Sequence, residues 1–87
     1  MREIRKRLDR LDKELVILLA ERMSLIQKLA EYKKKNKILV CQPEREKKII
    51  DGKKKLGKKL GLNPRLVEDL FKRIIKESCS IQKGNKA

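Results

Sequence analysis

The chain has no histidine and no tryptophan, and only one tyrosine, one phenylalanine, two cysteines, two prolines and four glycines in 87 residues. Each scarcity excludes something. Without histidine the commonest metal ligand and the commonest general base near neutral pH are missing. Cys41 and Cys79 form no CxxC and make a poor zinc site by themselves, so neither a metal nor a cofactor is expected. No apolar run approaches 18 residues and no signal-peptide pattern opens the chain. The expectation is a cytoplasmic protein with both thiols reduced and no membrane span. Two aromatic rings offer little for stacking bases. There is no Gly-rich phosphate loop, no repeat and no low-complexity tract.

What is present is charge and pattern. Lysine and arginine outnumber acids 26 to 12, giving a formal charge of +14, and 44% of residues are charged. The apolar 39% is regularly spaced, which argues against disorder. A single domain over residues 1–83 is expected, with a frayed tail at 84–87. From Glu3 to about Asn36 there is no Gly or Pro. Ile4, Leu8, Leu11, Leu15, Leu18, Leu25, Leu29 and Tyr32 recur at alternating steps of three and four, one stripe of a long helix. Arg22 fills the slot between Leu18 and Leu25, and Lys33 falls on the same face. An unpaired cation on a dry face is costly, so something anionic should meet them. A helix of about 34 residues spans roughly 50 Å, whereas a compact chain of this length has a diameter of about 30–35 Å. The overhang should pack on a second chain.

Downstream, Pro43 suits a helix start, with Glu44 and Glu46 at its positive end and Gln42 as a weak cap. This second helix runs to about Leu60 and contains Gly52 and Gly57, each a cost of about 1 kcal/mol against Ala, so it should be the least stable element. Gly61 reads as its stop. Asn63 and Pro64 open a third helix, whose face carries Val67, Leu70, Phe71, Ile74, Ile75 and Ile81, continued by Ser78 and Gln82. The expected fold is all-α, three helices per chain. Taken singly, each polar residue on these faces has an ordinary explanation, such as a snorkelling arginine or an exposed helix end. Taken together, Arg22, Lys33, Arg45, Glu46, Ser78 and Gln82 would converge on one pocket. Its cations outnumber its acid, which suits a ligand with two negative charges.

The segments Leu11-Asp12-Lys13-Glu14-Leu15, Leu19-Ala20-Glu21-Arg22, Tyr32-Lys33, Pro43-Glu44-Arg45-Glu46 and Ile74-Ile75-Lys76-Glu77-Ser78 resemble the all-helical chorismate mutases, over about residues 2 to 82. The resemblance implies an interlocked three-helix homodimer with two active sites, converting chorismate to prephenate on the way to phenylalanine and tyrosine. It implies that Arg22 and Arg45 line the dianion site and that Arg5 reaches into the partner's site. It further implies that Lys33 and Gln82 hydrogen-bond the ether oxygen, Glu46 holds the ring hydroxyl and Ser78 lines the site. Gln42 stands where many members have Asp, and weaker capping rather than lost chemistry is expected there. Gly52 and Gly57 are unusual for the second helix. Two other readings compete. One is an isochorismate-pyruvate lyase on the same scaffold. The other is a basic helical module for nucleic acid or a partner helix, which the +14 charge favours. Its lysines form no recognised reading motif, and non-specific nucleic-acid contact could accompany the enzyme activity.

Overall fold

The computed structural model describes residues 1–36 and 41–84, and every regular element among them is helical. Helix α1 spans Arg2–Lys35, α2 Pro43–Lys59 and α3 Pro64–Gln82. Residues 37–40, part of the short turn expected over residues 37–42 between the first two helices, and the tail end at 85–87 lie outside the described residues. No helix among the described residues is long and apolar enough to cross a membrane.

Local chemistry sets the helix ends. Asn63 caps α3, its side chain accepting from Arg65 N–H at 2.9 Å, with Pro64 in the first helical position. Gln42 stands at the start of α2 in extended backbone with no side-chain cap. The end of α2 is a Schellman motif. Gly61 takes φ +84°, Leu62 N–H donates to Gly57 O at 2.8 Å and Gly61 N–H to Lys58 O at 3.1 Å.

Helix α3 is the centre of the chain: α1 and α2 each pack against it and not against each other. Among the described residues the buried apolar core is small, consisting of Val67, Ile74 and Ile75 on α3. Leu70, expected on the same face, remains 48% exposed because neither neighbour covers that flank of α3. Gly57 is the buried residue of α2, and a β-carbon there would stand 2.7 Å from Val67 Cγ2. This glycine is the seat of the α2–α3 contact rather than a mere weak point. Gly52 has open space around it. A second tie comes from Glu68, whose carboxylate accepts from Lys54 Nζ of α2 at 2.6 Å and pairs with Lys72 Nζ at 2.9 Å. Hydrogen bonds from Lys54 and then Lys72 hold the Glu68 carboxyl down at about 2.

Helix α1 has no buried residue at all. The eight stripe residues are exposed by between 40% (Leu29) and 60% (Leu18) within this chain. Only the second half of α1 lies on α3, through half-buried Arg22, Met23, Ile26, Ala30 and Lys33. The chain measures 52 × 24 × 17 Å, with a radius of gyration of 15.5 Å. A compact chain of this length would have about 12 Å.

The expectation of two reduced thiols is corrected. A disulfide joins Cys41, just before α2, to Cys79 on α3, their Cα atoms 5.8 Å apart across 38 residues of sequence. No local spacing announces such a pair, because the packing of α2 on α3 creates it.

Candidate active site

Ser78 is the most deeply set polar residue, 4% exposed. Its hydroxyl donates to Ile74 O one turn back at 2.9 Å, the usual way a serine satisfies itself inside a helix. The oxygen remains an acceptor and takes Arg22 Nη1–H at 2.7 Å, with Met23 Sδ at 3.8 Å. One turn on, Gln82 Nε2 donates to Ser78 O at 3.3 Å, and Gln82 Oε1 accepts from Lys33 Nζ at 2.8 Å. Arg22 and Lys33, eleven residues apart on α1, are thus each matched to one α3 side chain four residues from the other. No buried side-chain nitrogen or oxygen among the described residues lacks a partner.

The opposite wall is the first turn of α2. Gln42, Arg45 and Glu46 face Arg22, Lys33, Ser78 and Gln82 across a pocket of about 320 Å³, which also has apolar walls at Ile26, Leu29, Ile49 and Ile75. Seven of the eight residues named from the sequence therefore share one cavity. Arg5 is the exception. It lies 17 residues before Arg22 on the same helix, about 25 Å away at ~1.5 Å per residue, on the half of α1 whose residues are all exposed. The sequence reading does not name Ile26, Ile49 or Cys79 for the site. Ile26 and Ile49 look like ordinary core positions, and only the neighbouring Ser78 could have flagged Cys79.

The charges are unbalanced. Arg22, Lys33 and Arg45 stand against the single carboxylate of Glu46, and the positive end of the α2 dipole points the same way. Guanidinium forks and an ammonium in a half-enclosed space suit two carboxylates on a small molecule. The sulfurs of Cys41 and Cys79 and a Glu46 oxygen lie within 4.8 Å of one another, a spacing that could hold a metal ion. With the sulfurs joined to each other, however, the thiolates a metal needs are not there.

The profile of the family described as chorismate mutase type II matches residues 4–83. The chorismate mutase of Methanocaldococcus jannaschii is 37% identical over 81 residues, covering 93% of this chain and 82% of that protein. A bifunctional chorismate mutase/prephenate dehydratase of Buchnera aphidicola subsp. Acyrthosiphon pisum is 40% identical over 79 residues, and the T-protein of Enterobacter agglomerans 35% over 75. These alignments cover 91% and 86% of the chain but only 20% of each of those longer proteins. No solved structure matches the chain.

Proposed function

This chain belongs to the chorismate mutase type II family, and on that premise we propose that it rearranges chorismate to prephenate as half of an interlocked homodimer. The reaction is intramolecular. An ether C–O bond breaks while a C–C bond forms, and no atom enters or leaves. A protein can speed it by holding the substrate compact and by placing positive charge where the ether oxygen gains electron density.

The observation that carries the reading is the meeting of three cations and one acid around a pocket of about 320 Å³. Arg22 takes a substrate carboxylate, and Arg45 lines the dianion site. Lys33 and Gln82 donate to the ether oxygen, and their 2.8 Å contact supports a shared target. Glu46 accepts from the ring hydroxyl, while Ser78 steadies Arg22 and Gln42 completes the wall. Arg5 acts in the partner's pocket. Its distance from Arg22 rules out one small ligand meeting both in the same chain, and the uncovered apolar stripe of α1 supports the second copy.

The test is a continuous assay of chorismate with the purified chain and no added metal or cofactor. Loss of chorismate with stoichiometric prephenate is expected, and unchanged chorismate sinks the reading. Isochorismate run in parallel separates the lyase, which would release pyruvate and salicylate.

A further inference from the structure

We propose that the Cys41–Cys79 disulfide is a reversible clamp on this pocket, closed by oxidation and opened by small thiols, with the substrate affinity of the site set by its state. The proposal rests on the mutase reading only for the identity of the ligand.

Three observations carry it. The first is position. Cys41 is bonded through the backbone to Gln42, the start of α2, and Cys79 lies between Ser78 and Gln82 on α3. Cys79 Sγ is 3.5 Å from Glu46 Oε2. The bond therefore ties the turn that carries Arg45 and Glu46 directly to the helix that carries Ser78 and Gln82. The second is where the other ties between α2 and α3 lie. Gln42 gives α2 no side-chain cap, and the backbones of α1 and α2 do not pack together. The Gly57–Val67 contact and the Lys54–Glu68 pair both lie in the later part of α2. The third is access. Both cysteines are half-buried, and a second cavity of about 340 Å³ opens on them from the outer side. Lys72, Lys76 and Lys83 line it, while Glu46, Ile75 and Cys79 form the partition between it and the substrate pocket. A half-exposed disulfide beside cations is the kind that exchanges, because the lysines stabilise both the attacking thiolate and the sulfur that leaves.

The chemistry balances with a thiol reductant alone. A thiolate RS⁻ attacks one sulfur, the other cysteine leaves as a thiolate and takes a proton, and a second RSH resolves the mixed disulfide. Two RSH become RSSR, and two electrons and two protons pass to Cys41 and Cys79. Opening the bond frees the first turn of α2, so only a fraction of molecules hold Arg45 and Glu46 in place. A site that is competent part of the time shows weaker apparent binding without a slower chemical step.

The experiment compares the full chain, oxidised with oxidised glutathione or reduced with reduced glutathione, in a chelator to keep metal from the freed thiols. Thiol titration of the denatured protein should count none and then two. Reduction should raise KM about fivefold, the factor corresponding to one lost helix cap, with kcat within about twofold. Cys41→Ser should show the reduced KM and ignore both reagents. Amide exchange at residues 43–46 should quicken on reduction, and that readout needs no turnover. Two free thiols after oxidation, or equal KM in the two states, overturns the clamp. No turnover in either state counts against the mutase reading alone; the clamp is then judged by exchange, and equal exchange overturns it.

Discussion

Lys33 Nζ donates to Gln82 Oε1, which orients the amide so that its NH₂ is the end offered to other acceptors, one of them Ser78 O. The proposed role of Gln82 is donation to the ether oxygen, and Gln82→Glu isolates it. An ionised carboxylate has no donor, whereas a protonated one has one. Burial would raise the pKa of the new carboxyl and the ammonium of Lys33 would lower it. The variant should lose about 10²–10³ in kcat/KM at neutral pH, the usual cost of one donor to a developing oxyanion. It should recover as pH falls. Profiles of kcat/KM for both proteins over roughly pH 4.5–8 read this out. Flat, equal profiles would reduce Gln82 to a polar residue near a helix end.

At the scale of elements, the two unusual glycines of α2 separate sharply. A methyl at Gly57 would stand 2.7 Å from Val67 Cγ2, and Val67 is buried and stiff in its helical rotamer. Overpacking costs about 1–3 kcal/mol, against a helix-propensity gain of about 1 kcal/mol. Gly57→Ala should therefore lower the urea midpoint, and adding Val67→Ala should cost less in that background than alone. Gly52 has nothing within 4 Å, so Gly52→Ala should stabilise by about 0.5–1 kcal/mol at the same protein concentration. The Glu68 tie between α2 and α3 has a pH signature. Its carboxyl sits at about 2 in the fold and at 4.5 ordinarily. A lowered pKa contributes stability above the unfolded value, and that stability is lost as pH falls through the folded one. The advantage of wild type over Glu68→Gln should be full above about pH 4.5, shrink on acidification and vanish near pH 2. The pair is partly exposed, so high salt should shrink it too.

For the whole molecule, the decisive feature is the mismatch between a 34-residue helix and the two short helices that could cover it. The stripe of α1 needs a second surface of the same length, and in the proposed homodimer another copy of α1 would supply it under two-fold symmetry. Leu11→Glu with Leu15→Glu should abolish the dimer and the activity together, as sedimentation and the chorismate assay would read. An active monomer contradicts the proposal. Mixing and re-forming Arg5→Ala and Arg22→Ala chains, each inactive alone, should restore activity, since a mixed dimer has one pocket with both arginines. If the mixture stays dead, Arg5 does not act in trans.

The helices and their ends were legible in the sequence, because they follow from local rules: a period of 3.6, an Asn-Pro start, a glycine stop. So were four of the pocket's polar residues, since Arg22 and Lys33 break an apolar stripe where a cation is costly and Ser78 and Gln82 extend another. What only the tertiary structure decided depends on two helices meeting. Which residues of α1 face α3 turned on Met23, Ile26 and Ala30 rather than on the leucine stripe. Gly57 proved to be a packing site because Val67 lies against it, and Leu70 stayed half exposed on the same helix that buries Val67. The cysteines became a pair because α2 lies along α3 and brings positions 38 residues apart within 5.8 Å. Spacing along the chain fixes what a helix presents on each face; which face is covered depends on distances between elements, and those are set only when the helices pack.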